Sequence, residues 1–127
     1  MRVVMVEVGR KAYEMELENG LGSMQCAVGG LIQAVYEPGE RDAALICNDE
    51  GKLLGLPLNR ALRDKDGDIY DIIAGTLFIC GAPADSENFT SLTDEQVNYW
   101  MERFAKPEFF VRVNGKVICV PVEEPGI

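Results

Sequence analysis

Hydrophobic and polar positions alternate most clearly near the start of the chain. Val3, Val4, Met5, Val6 and Val8 form a β-rich run, and Tyr13, Met15 and Leu17 then alternate with Glu14, Glu16 and Glu18. A period of two puts one set of side chains on a buried face and the other in water. The two runs, joined through Gly9, Arg10 and Lys11, therefore predict a hairpin with one acidic face that ends at the Asn19-Gly20 turn. A helix of at most two turns follows, from a Ser23 cap through Val28 to the stop at Gly29-Gly30. Leu31 to Tyr36 and Ala44 to Cys47 predict strands on either side of the loop Glu37-Pro38-Gly39-Glu40. After a turn at Asn48 to Gly51, Lys52, Leu53 and Leu54 are expected to run back as a hairpin partner. Pro57, lacking an N–H that a first helical turn would leave unbonded, is expected to open a short helix over 57–62. Ile69 to Cys80 is the longest β signal, with a bulge at Gly75.

The clearest helix start is Leu92-Thr93-Asp94-Glu95-Gln96-Val97, where Thr93 is the N-cap, Gln96 completes a capping box and Leu92 can staple onto Val97. Val97, Trp100, Met101 and Phe104 then recur at helical spacing, so Trp100 and Phe104 are expected to be buried. Phe109 to Val113 and Lys116 to Val120 flank Asn114-Gly115, a strong hairpin signal. Together these elements predict a single α+β domain over residues 1–127. Its antiparallel or mixed sheet of about five to seven strands is packed against one main helix, about 93–105, with short helices near 23–28 and 57–62.

Composition narrows the function more than the fold. The chain has 127 residues, 47% of them hydrophobic and 26% charged, which suits one globular domain. No apolar run approaches the roughly 18 residues that span a bilayer, and the N-terminal residues carry no signal-peptide pattern, so a cytoplasmic protein without membrane attachment is expected. A net charge of −9 argues against direct binding to nucleic acid, whose phosphates call for clustered Lys and Arg. With no histidine, nucleophile–histidine pairs and histidine metal ligands are excluded. Cys26, Cys47, Cys80 and Cys119 form no C-x-x-C pair, and the last three lie in apolar runs that read as buried, reduced thiols.

The familiar motifs fail on register. Asp64-x-Asp66-x-Asp68 could begin a calcium loop, but Ile69 and Gly75 stand where glycine and glutamate are needed, leaving a solvated acidic turn. Gly51-Lys52 lacks the remainder of a phosphate loop. No catalytic residue, metal ligand or cofactor is predicted. The densest polar constellation lies between Cys47 and Asp71: Asn48, Asp49, Lys52, Asn59, Arg60, Tyr70 and Asp71. Amides, a guanidinium and a phenol read ligands, and they also serve as ordinary turn and cap groups. Asp71, between Tyr70 and Ile72, sits where an apolar strand would desolvate a carboxylate. Apolar residues including Leu53, Leu54, Leu56 and Leu62 are expected to anchor this segment and hold its turns still.

The segments SMQCAVGGLIQAVY, LICNDEGKLLGLPLNRALRDKDGDIYDIIAGTLFICG and FTSLTDEQVNYWMERF, with the hairpin after Pro107, resemble a domain family of unknown function. That family occurs in Firmicutes and in their phages and conjugative elements. The resemblance implies a cytosolic accessory protein of a mobile element, a setting whose small proteins often counter host defences, and it transfers no catalytic residue. Two functions follow as expectations. The first is a non-enzymatic protein that binds a host or mobile-element protein through its acidic surface. The second is a small-ligand or nucleotide binder, for which Lys52 and Arg60 would have to converge. Self-association into a homo-oligomer is open on either.

Overall fold

In the computed structural model, which describes residues 1–37 and 42–122, strands β1 (Arg2–Val6), β2 (Tyr13–Glu16), β3 (Ile32–Val35), β4 (Ala43–Asn48) and β7 (Leu77–Gly81) form one sheet of order β2-β1-β7-β4-β3. Every neighbouring pair in it is antiparallel. Two separate hairpins complete the fold, β5 (Leu58–Arg63) with β6 (Ile69–Ala74) and β8 (Glu108–Val113) with β9 (Lys116–Pro121). The described helices are α1 (Leu21–Val28) and α2 (Asp94–Arg103). The loop expected at Glu37 to Glu40 lies, beyond Glu37, outside the described residues.

The period-two rule explains why the central strands are apolar throughout: both faces of the sheet are covered. Val4, Val6, Leu45, Leu77 and Ile79 share one buried cluster with Leu62 and Ile73 of the β5–β6 hairpin and with Val97, Trp100 and Phe104 of α2. Val3, Met5, Ala44, Ile46, Phe78 and Cys80 share the other with Met24 and Val28 of α1. Trp100 and Phe104 are buried as their spacing predicts. The Thr93 hydroxyl accepts from the Gln96 N–H at 3.2 Å and the Gln96 side chain accepts from the Thr93 N–H at 2.9 Å, closing the capping box.

Three expectations are corrected. Residues 57–62 form no helix; Leu58–Arg63 is strand β5. A helix that short is marginal in itself, whereas the tight turn at Asp64 brings Ile69–Ala74 back alongside to make a ladder. The run from Ile69 to Cys80 is two strands in two sheets, because Gly75 takes φ 82 and turns the chain between them, donating its N–H to the Pro57 carbonyl at 2.8 Å. Helix α1 begins at Leu21 from a Gly20 cap, so Ser23 lies within it and caps nothing. The acidic turn uses its first carboxylate on its own backbone: Asp64 Oδ1 accepts the N–H groups of Asp66 at 2.9 Å and Asp68 at 3.0 Å.

Cys80 and Cys47 are buried, whereas Cys119 is partly exposed and Cys26 is exposed. Burial pushes the Cys80 thiol from its ordinary 9 up to about 12. A folded-state value raised in this way contributes stability below the unfolded value, and that contribution is lost as pH rises toward the folded one. Above pH 9 the unfolded chain ionises this thiol while the folded chain still holds it neutral, so this group should make stability fall as pH rises toward 12. Urea midpoints of the wild type and Cys80→Ala across that range check this, and the variant should show the shallower decline.

Candidate functional site

The constellation between Cys47 and Asp71 divides into an exposed part and a buried part. The exposed part is built on Asn48, the buried last residue of β4. Its Nδ2 donates to the Val28 carbonyl at 3.1 Å, at the end of α1, and its Oδ1 accepts the Glu50 N–H at 2.8 Å. Backbone N–H groups of Leu54, Gly55 and Leu56 then bond back to Glu50, Lys52 and Gly51 at 2.8, 3.1 and 3.0 Å. Gly51 packs against β6 so closely that a Cβ there would lie 2.8 Å from the Ala74 carbonyl oxygen, a contact with backbone that cannot swing aside.

A turn tied at so many points presents its outer residues in fixed positions. Leu53 is 88% exposed and Leu54 is 61% exposed. This corrects the expectation that both leucines anchor the segment inward and that residues 52–54 pair as a strand. β4 is already flanked by β7 and β3, so the sheet has no open edge beside it for a returning hairpin partner. The chain coils into successive turns instead, with the leucines outward.

Below the turn, Lys52 Nζ lies 2.6 Å from Asp71 Oδ1, and the same carboxylate oxygen accepts the Ile72 N–H at 2.8 Å. Asp71 is thus half-exposed and paired, not the desolvated carboxylate its neighbours suggest. The pair separates two clefts. One, of about 220 Å³, is lined by Gln33, Cys47, Asn48, Asp49, Lys52 and Asp71 among others. The second, of about 620 Å³, is lined in part by Lys52, Leu56, Tyr70, Asp71 and Arg112. Burial first, then Asp71 and Asp49, pushes the Cys47 thiol up. Burial first, then Glu37, does the same to the Tyr70 phenol. Both therefore stay protonated near neutral pH, and the Lys52 ammonium and Asp71 carboxylate answer each other's charge.

Asn59 and Arg60 are 0% exposed and share neither cleft. Asn59 Nδ2 donates to the Val6 and Gly75 carbonyls, both at 2.9 Å, tying β5 to β1 and to the turn before β7. Arg60 reaches the Arg10 carbonyl at 2.5 Å, the Phe104 carbonyl at 3.0 Å and Asn59 Oδ1 at 2.8 Å. Desolvation by burial lowers its pKa, and the charge of Glu108 opposes that shift. Lys52 and Arg60 do not converge, so the cationic pocket that a nucleotide needs is not assembled from them. Of the seven candidates, Asn48, Asp49, Lys52, Tyr70 and Asp71 gather at the two clefts.

Two features escaped sequence reasoning. One is the outward pair Leu53 and Leu54. The other is a cluster around buried Glu108, which accepts from the Ala61 N–H at 3.3 Å, from Arg63 Nη2 at 3.2 Å and from the Cys119 thiol. Burial, then Glu108, pushes that thiol up. No local signal marks it, since Arg63 stands 45 residues from Glu108.

No curated protein and no solved structure matches the chain. A family model does, over residues 1–105, which takes in the main sheet, the β5–β6 hairpin, both helices and the turn at 48–55, and stops before β8. The chain belongs to the family described as domain of unknown function DUF3846.

Proposed function

We propose that this chain is a non-enzymatic binding protein that engages a protein partner through the turn at 48–55, with Leu53 and Leu54 as its anchors. The observation that carries this is the exposure of both leucines on a turn whose backbone is bonded into place. Two neighbouring leucines turned outward on one fixed turn form a small apolar patch, and exposed apolar groups on rigid supports supply binding energy at low ordering cost. Asp49 and Glu50 beside them, within a chain of net charge −9, favour a partner with an apolar pocket and a basic rim. The cytoplasmic setting in a phage or conjugative element of Firmicutes, with a host or mobile-element protein as partner and a part in countering host defence, belongs to this proposal through the resemblance. One observation favours a second reading: the clefts that meet at Lys52 and Asp71 have room for a small molecule, with Tyr70 and Arg112 to orient it.

The test is the double variant Leu53→Asp/Leu54→Asp. A partner recovered from host lysate with the wild type is purified and titrated against both proteins. Anchor residues of this kind each contribute about 2 kcal/mol or more, so losing even one of the two should lower affinity about 30-fold and the double variant at least that far. The denaturation midpoint should hold within about 0.5 kcal/mol, because the replaced side chains touch solvent. A variant that binds as tightly as the wild type would end this assignment. Loss of a small-molecule ligand on Asp71→Ala, with protein binding intact, would favour the second reading.

A further inference from the structure

The β8–β9 hairpin has two faces, and among the described residues only one of them packs against the rest of the chain. Its register pairs Phe109 with Val120, Phe110 with Cys119, Val111 with Ile118 and Val113 with Lys116, and cross-strand partners share a face. Glu108, opposite Pro121, shares its face with Phe110 and Cys119, where Arg63 and the Ala61 N–H of β5 reach it. The other face carries Phe109, Val111, Val113, Ile118 and Val120, each between 43 and 63% exposed, and its one charge is Lys116 at the tip. Isolated exposed apolar residues are ordinary; five in register on one face of a hairpin are not.

We propose that this face is the interface of a homodimer, packed against the same face of a second copy about a two-fold axis. Such an interface must be complementary to itself, and a strip of β-branched side chains with one aromatic at its base can interdigitate with its own image. Two stacked hairpins make a four-stranded sandwich about 10 Å thick, which covers the outer face of each ribbon, whose inner face already rests on β5. Charge selects this surface over others. The hairpin, residues 108–121, holds Glu108, Arg112 and Lys116 and sums to +1, so the rest of the chain carries −10 of the total −9. Two copies meeting elsewhere would bring carboxylates together, whereas here Glu108 is already buried with Arg63, and antiparallel packing sets the two Lys116 tips at opposite ends. The area sets the strength. The five side chains expose roughly 400 Å² per copy, below the ~800 Å² per partner of a standard interface, so the dimer should be weak, with a dissociation constant on the order of micromolar to tens of micromolar.

Sedimentation of the full chain over roughly 1 to 500 µM tests this. The mass should rise from monomer to dimer with concentration. Val111→Asp puts two carboxylates near the axis and should weaken association at least about 30-fold while leaving the midpoint of the dilute monomer unchanged. If that variant loses its circular dichroism, Ile118→Thr, a milder change on the same face, should still weaken association measurably. Leu53→Asp/Leu54→Asp should dimerise as the wild type does, which keeps this surface separate from the turn at 48–55. A wild type that stays monomeric throughout would overturn the proposal, as would a dimer insensitive to both hairpin variants or one abolished by the leucine variant.

Discussion

Arg60→Ala is expected to lower stability by about 3–5 kcal/mol, a large share of the 5–15 kcal/mol that holds a typical domain. The guanidinium joins three parts of the chain: the β1–β2 loop through the Arg10 carbonyl, β5 through Asn59, and the end of α2 through the Phe104 carbonyl. Phe104 is the C-cap of α2, so a cation there also meets the negative end of the helix dipole. Alanine would leave the buried Phe104 carbonyl and Asn59 Oδ1 without this donor and open a cavity where one of the largest fully buried side chains now sits. Urea denaturation followed by the fluorescence of the single tryptophan measures the loss. The fraction still folded should bind the partner as the wild type does, because Arg60 offers no surface. Impaired binding by fully folded Arg60→Ala would return this residue to the functional site.

Trp100→Ala should cost a similar 3–5 kcal/mol, for a different reason. The indole is 2% exposed and stacks on Phe104 with ring centroids 5.8 Å apart, while Tyr99 meets it edge-on at 5.0 Å. The Arg103 guanidinium lies 5.1 Å above its ring and also donates to Glu37 at 2.6 Å, so the aromatic column connects the end of α2 to the residues after β3. With the only tryptophan gone, far-ultraviolet circular dichroism is the suitable probe. Because Arg60 and Trp100 both act on Phe104, the double variant should cost less than the two single losses combined.

Elements whose cause lies within a few residues were legible in the sequence. The alternation at 13–17, the capping box at Thr93 and Gln96, the helical spacing of Trp100 and Phe104 and the Asn114-Gly115 turn each produced the element expected of them. In the candidate site, Asn48, Asp49, Lys52, Tyr70 and Asp71 were named from composition and turn chemistry, and they do meet at the clefts. Asn59 and Arg60 could not be separated from them, because a polar side chain between two apolar ones reads the same whether it faces solvent or a buried carbonyl.

The sequence by itself therefore determined β1 to β4, the principal helix, the last hairpin and the acidic, histidine-free character of the chain. Only the tertiary structure decided that residues 58–63 are a strand, that the run from Ile69 to Cys80 breaks at Gly75, that Arg60 lies inside and that Leu53 and Leu54 lie outside. The physical reason is range. Periodicity, caps and turn residues act over one or two turns of chain, but the carbonyls that claim Arg60 are 50 and 44 residues away. The leucines face water because β3 and β7 already occupy both sides of β4, and no local pattern records which neighbours a strand has.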